Sequence, residues 1–184
     1  TLGELIAHAR ANPGKLSYAT PNSTSLVAME SIKHIAGIDL LSVPYKSSPQ
    51  AMTDLVGGQV QVYVADLGSG MSMLKSDKVR TLGITTALPS PLLPGVPPIG
   101  QTAKGFDLTS WNGIFGPAGM PPAVVNRLNT ELQAVLADKD TQDKLALIGF
   151  QVWPSKTPEE FATYVADQLT HWRALIRQAG IKPE

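Results

Sequence analysis

The fold class this sequence predicts is α/β, with helices covering a mostly parallel sheet, and three observations predict it. Up to residue 85, segments with apolar residues at helical spacing alternate with short strand-like runs. Each of those runs passes through a polar turn into a helix, the order helix, strand, helix, strand that parallel sheets require. One run, 39–45, has little polar alternation, which predicts a strand buried on both faces.

Thr1, with Glu4 three residues later, makes a capping box. Leu2, Leu5, Ile6 and Ala9 give the helix it opens one apolar face, and Asn12-Pro13-Gly14 ends it. Residues 15–20 read as a short strand. Residues 26–36 read as a helix, with Val27, Ile32 and Ile35 toward a core and Gly37 as its stop. After the strand 39–45, Ser48 caps a helix with Pro49 in its first turn, where a missing N–H costs nothing. Gly57-Gly58 stops that helix. A strand over 60–65 brings Asp66 to its C-terminal end, and a short helix over 69–75 leads to a strand over 79–85.

The prolines at 89, 91, 94, 97 and 98 then make a stiff, irregular connection. Residues 106–115 are extended and carry Trp111. The turn Gly116-Pro117-Ala118-Gly119-Met120-Pro121-Pro122 opens a long helix to Ala137, and a second helix covers 140–148. A short strand is predicted over 150–153. Thr157-Pro158-Glu159-Glu160 is a second capping box, opening a helix that ends at Gly180. Phe161, Val165, Leu169, Trp172 and Ile176 share one side of it as a packing face. The chain divides into two units, 1–109 and 110–184.

The 184 residues are 43% hydrophobic and 16% charged, with zero formal net charge and no cysteine. That composition describes a globular protein with a real core. No basic stripe points to nucleic acid, and no apolar run is long enough to cross a membrane. Without cysteine there is no disulfide, thiolate metal site or cysteine nucleophile. No Gly-x-Ser-x-Gly elbow, zinc motif, P-loop or dinucleotide fingerprint is present, so the expectation is a protein without catalysis or cofactor. His8, His34 and His171 are far apart and read as surface residues, so no metal site is expected. The first residues have no basic start or apolar stretch of a signal peptide and read as the opening of a helix inside a domain. The expectation is that something upstream has been removed.

The chemistry concentrates at the turns. Ser17-Tyr18-Ala19-Thr20-Pro21-Asn22-Ser23-Thr24-Ser25 runs from a strand through a hydroxyl- and amide-rich turn into a helix. Such a turn presents free backbone N–H groups to an anion. The arrangement recurs at Val43-Pro44-Tyr45-Lys46-Ser47-Ser48-Pro49 and near Asp66. Three such turns on one sheet edge make a cleft. Thr20, Asn22, Ser23, Thr24 and Ser25 are the first candidates for contact with a ligand carboxylate, though simple capping uses the same residue types. Ser47, Ser48 and Lys46 flank the second helix start, and Tyr45 either lines the cleft or packs. Asp66 stands where ligands bind in open α/β sheets, suited to accept hydrogen bonds from a ligand amine or hydroxyl or from loop N–H groups.

The chain resembles the TctC/Bug solute-binding receptors over its whole length. The resemblance rests on Val43-Pro44-Tyr45-Lys46, on Asp54-Leu55-Val56-Gly57-Gly58-Gln59-Val60 and on Leu82-Gly83-Ile84-Thr85-Thr86. It continues through Leu93-Pro94-Gly95-Val96-Pro97, Trp111-Asn112-Gly113-Ile114-Phe115-Gly116-Pro117, Val125-Asn126-Arg127-Leu128-Asn129 and Thr157-Pro158-Glu159-Glu160-Phe161. It implies a type II periplasmic-binding-protein fold. Residues 1–109 would be the second, ligand-binding lobe lacking its start, and 110–184 the hinge return and C-terminal part of the first lobe. Hinge segments would include 86–88 and 109–113.

The resemblance further implies a periplasmic receptor that closes on a small organic carboxylate or amino acid and delivers it to membrane subunits of a tripartite tricarboxylate transporter. The rival with the same fold is the effector-binding domain of a transcription regulator. Two departures stand out. The family's glycine-rich loop after Tyr18 is replaced by Pro21 and Asn22, and Ser47 stands where a glycine is usual, so side-chain hydroxyls take over from backbone N–H groups. In this family, residues before the matched stretch supply the first strands of the first lobe, a glycine-rich loop and one jaw of the clamp. Without them the tail exposes core surface, which predicts self-association of the chain.

Overall fold

The computed structural model describes residues 1–74 and 77–181. Helix α1 (Leu2–Ala11) opens with the predicted capping box, the Thr1 hydroxyl oxygen accepting from the Glu4 N–H at 3.2 Å. Strand β1 (Ser17–Thr20), helix α2 (Ser23–Ala36), strand β2 (Leu41–Pro44), helix α3 (Ser48–Val56), strand β3 (Val62–Tyr63) and helix α4 (Leu67–Leu74) follow. The last residue predicted for α4, Lys75, lies outside the described residues. Helix α2 stops where Gly37 takes a φ of 60°, a left-handed turn that costs glycine nothing.

The sheet has the order β2-β1-β3, and both pairings are parallel. Thr20 lies opposite Pro44 and Ala19 opposite Tyr63, so all three C-terminal ends reach one edge. Alternation along β1 sends Tyr18 and Ala19 to opposite faces. Tyr18 joins the main core with Leu2, Ile6, Val27, Met29, Ile32 and Leu108. Ala19 packs with Ala51 and Val60 on the other side, where Tyr45, Leu55 and Tyr63 cover them. Each fully buried Val, Leu, Ile or Met side chain here contributes about 1.5–3 kcal/mol.

Several sequence expectations are corrected. Strand β2 is not buried on both faces: Leu41, Ser42 and Pro44 are exposed, Leu41 at 56%, and among the described residues nothing pairs with its outer edge. Strand β3 is shorter than the predicted 60–65. The strand predicted over 79–85 reduces to an isolated bridge between Ile84 and Pro98, held by Ile99 N–H donating to the Ile84 carbonyl at 2.8 Å. The strand predicted over 150–153 has no ladder partner among the described residues. A strand-like sequence becomes a strand only beside a neighbour that can take its backbone hydrogen bonds.

Beyond a short 3-10 turn (Ile99–Gln101) come α5 (Pro122–Ala137), α6 (Lys139–Leu147) and α7 (Pro158–Gln178). Neither α5 nor α6 has a buried residue. The C-terminal half of α7 packs Trp172, Leu175 and Ile176 into the main core. Its N-terminal half carries an aromatic cluster: Trp111 meets Phe161 and Tyr164 edge-on, with ring centroids 6.1 and 5.5 Å apart. Trp153 meets Tyr164 at 5.3 Å. His171 is not a free surface residue. It is half-buried, and its Nε2 lies 2.9 Å from the Asp107 carbonyl oxygen. The Asp107 carboxylate in turn accepts from the Ala87 N–H at 3.1 Å, tying the predicted hinge segment 86–88 to a residue just ahead of 109–113.

Candidate functional site

Parallel pairing brings the beginnings of α2, α3 and α4 to the same sheet edge. Neighbouring strands lie about 4.8 Å apart, so the three loops start within roughly 10 Å of one another. The unpaired N–H groups of each first turn add partial positive charge.

At the first loop, the Thr20 hydroxyl donates to the Val43 carbonyl at 3.2 Å and lies 3.3 Å from the Ser42 hydroxyl. It ties the β1 and β2 ends together. Asn22 caps α2, its Oδ1 accepting from the Ser25 N–H at 2.9 Å and the Ser25 hydroxyl at 3.0 Å. Ser25 is 2% exposed, so its hydroxyl is spent inside the cap. Ser23 is exposed and Thr24 half-buried. The orientation of α2 is fixed deeper in the fold. The Tyr18 hydroxyl donates to Glu30, Lys33 Nζ sits 2.8 Å from the same carboxylate oxygen, and Lys33 lies 5.3 Å from the Tyr18 ring centroid. Burial first, then the Glu30 contact, holds the Tyr18 hydroxyl well above the usual phenol range.

At the second loop, Ser47 rather than Ser48 is the N-cap of α3, and its side chain makes no capping bond. Lys46 and Ser47 are exposed, and among the described residues Lys46 forms no ion pair. Tyr45 packs against the Ala19–Ala51–Val60 cluster. Its hydroxyl is held above the ordinary value by loss of solvation and, second, by the nearby Asp54 carboxylate. At the third loop, Asp66 is exposed, and its carbonyl accepts from the Gly70 N–H at 3.0 Å and the Ser69 hydroxyl at 2.8 Å.

A cavity of about 1460 Å³ runs along β3 to the start of α4 and is walled on its other side by residues 107–112 and 148–155. Thr24 and Asp66 line it, together with Thr86, Thr109, Ser110 and Asn112. The other predicted site residues, Thr20, Asn22, Ser23, Ser25, Tyr45, Lys46 and Ser47, are not in its wall. The structure thus brings the helix beginnings to one edge but turns only part of the predicted set into the cavity. Thr109, Ser110 and Asn112 are wall residues that the sequence reading treats only as hinge. The available signal is that a hinge must border the cleft it closes. Among the described residues no group of His, Asp or Glu could hold a metal ion.

Residues 1–181 match the family model described as tripartite tricarboxylate transporter family receptor. The chain is 34% identical, over 94% of its length and 52% of the relative's, to the UPF0065 protein in the tcbD-tcbE intergenic region of Pseudomonas sp. (strain P51). It is 26% identical to Protein BugT of Bordetella pertussis, covering 99% of the chain and 56% of that relative. The chain spans about half the length of these two curated relatives. Among solved structures, R. palustris Rpa4515 with adipate superposes with a TM-score of 0.90 at 29% identity, covering 100% of this chain and 62% of that one. Periplasmic binding protein BugD superposes with a TM-score of 0.83 at 30% identity, covering 98% and 62%. These matches give the fold as α/β and type II periplasmic-binding-protein-like. They leave the transcription-regulator alternative without support, and the chain belongs to the tripartite tricarboxylate transporter receptor family.

Proposed function

We propose that this chain is the ligand-binding part of a periplasmic receptor that captures a small organic carboxylate and presents it to the membrane subunits of a tripartite tricarboxylate transporter. The observation that carries the reading is the parallel register that delivers three helix beginnings to one edge beside a large cavity. An anion there gains up to about 2 kcal/mol from each partly buried helix terminus. At the α3 beginning Ser47 makes no side-chain cap, so the Ser48 and Gln50 N–H groups of the first turn, on either side of Pro49, face a ligand uncapped. Lys46 adds a full charge beside it. Thr24 donates from the α2 side, and Asp66 accepts from a ligand hydroxyl or amine at the far wall. Adipate in a relative's site makes a dicarboxylate the first ligand to test.

Capture works by closure of the receptor about the segments 86–88 and 109–113, and the bound anion biases that hinge toward the closed state. Binding requires no chemistry from the chain. Thermal-shift titration of the complete receptor with adipate and other carboxylates, with neutral amides as controls, tests the reading. A carboxylate should raise the melting temperature by mass action while its amide does not. Equal shifts for acid and amide would sink it.

A further inference from the structure

At one point on the cavity wall, main chain meets main chain with no side chain between. Gly68, near the beginning of α4, and Gly149, just past α6, both line the cavity. A Cβ added to Gly149 would stand 2.5 Å from the Gly68 nitrogen and 2.9 Å from the Leu67 carbonyl carbon. One added to Gly68 would strike the Ile148 carbonyl oxygen. Real Cβ atoms do not come that close to backbone, so only glycine at both positions lets these segments meet as they do. Gly149 also takes a φ of 84°, which other residues rarely adopt. The contact attracts as well. The Ile148 carbonyl closes the last turn of α6 and stands against the first turn of α4, the favourable sense of two helix dipoles. Two residues along α4, an added Cβ at Gly70 meets nothing within 4 Å.

We propose that Gly68 and Gly149 determine specificity: their contact is the stop that fixes how near the cavity's two walls approach, and so how long a carboxylate the closed receptor accepts. The inference rests on the carboxylate reading above and adds a length class to it. Side chains elsewhere on the walls rotate between rotamers to make room, but main chain cannot, and a packed backbone contact yields little. The polar groups open to a ligand lie on either side of this stop. Asp66 stands two residues before Gly68 on one wall, and Thr109, Ser110 and Asn112 stand on the other. The gap between them therefore follows the glycine contact. Moving a Cβ at Gly149 from 2.5 Å to ordinary contact, which begins at 3.4 Å, parts the walls by about 1 Å. One methylene lengthens an extended chain by roughly as much, its C–C bonds being about 1.5 Å. A single methyl group at the stop is thus matched to one carbon in the ligand.

The test titrates the complete receptor with straight-chain dicarboxylates from succinate to suberate, by calorimetry. Gly68→Ala should move the preferred length one methylene upward, changing the affinity ratio of neighbouring lengths about tenfold or more. Gly149→Ala adds the methyl from the facing wall; it should give the same shift, and it serves if Gly68→Ala does not fold. Gly70→Ala should keep the parent's order of lengths. Alongside, spin labels at Thr53→Cys on α3 and Lys144→Cys on α6, both exposed in a chain with no cysteine of its own, report the separation of the walls. The shortest distance sampled should grow by about 1 Å or more in Gly68→Ala and stay fixed in Gly70→Ala. An order of lengths that Gly68→Ala leaves unchanged, or a shortest distance that it does not move, overturns the proposal. If no dicarboxylate binds the parent and the shortest distance still grows, the carboxylate reading fails and the stop stands.

Discussion

Asn22 Oδ1 accepts from both the backbone N–H and the hydroxyl of Ser25, at 2.9 and 3.0 Å. One side chain therefore satisfies two donors at the beginning of α2, and Ser25, which the sequence offers as a ligand contact, serves the cap. Asn22→Ala removes both acceptor contacts. The variant is expected to lose about 1 kcal/mol, within a range of 0.5–2 kcal/mol, by urea denaturation, whereas Asn22→Asp retains most of the stability.

The Tyr18–Glu30–Lys33 group predicts an alkaline limit. Burial and then the Glu30 contact raise the Tyr18 hydroxyl above its unfolded value of about 10. A raised value means the folded state holds the proton more tightly than the unfolded chain does. The contribution is whole below pH 10 or so, and it falls as pH climbs beyond that because the unfolded tyrosine ionises first. Denaturation midpoints measured from pH 8 to 11 should fall less steeply for Tyr18→Phe than for the parent. Parallel curves would show that Tyr18 has no part in the loss.

Gly68, near the beginning of α4, approaches the Ile148 carbonyl so closely that an added Cβ would collide with backbone. Backbone cannot swing aside as a side chain can. Gly68→Ala should therefore push α4 away from the end of α6 and cost about 1–3 kcal/mol. Thermal denaturation of the variant checks this, and Gly70→Ala, where nothing lies within 4 Å, is the matched control.

Lys46 separates two versions of the site. In the complete receptor, Lys46→Ala should weaken carboxylate binding by roughly three- to tenfold, with a smaller difference at high salt, if the anion sits at the α3 beginning. Titration calorimetry at two salt concentrations reads it. An unchanged affinity would move the anion toward Thr24 and the hinge residues that line the cavity wall.

Local chemistry made much of this legible in the sequence. The Thr1–Glu4 box and the glycine stop at Gly37 depend on residues within a few positions of one another, and both appear as read, while the cap of α3 falls on Ser47 rather than Ser48. The convergence of helix beginnings followed from strand–turn–helix order, because parallel strands with helical crossovers must point their C-terminal ends the same way. The missed features are long-range. Residues 150–153 have strand-like composition, but no described neighbour pairs with them. His171 looks like a surface residue on its helix until the Asp107 carbonyl, 64 positions away, comes within 2.9 Å of it.

By itself, then, the order of residues determined the α/β class, the family and which loops gather at one edge, because periodicity, caps and turn residues act over a few positions. Only the tertiary structure decided that β2 is an exposed edge, that Ser25 and Tyr45 are spent on internal contacts, and that Thr109, Ser110 and Asn112 line the cavity. Those outcomes depend on which surfaces meet across the molecule, where burial and pairing of distant groups override the preference of any single residue.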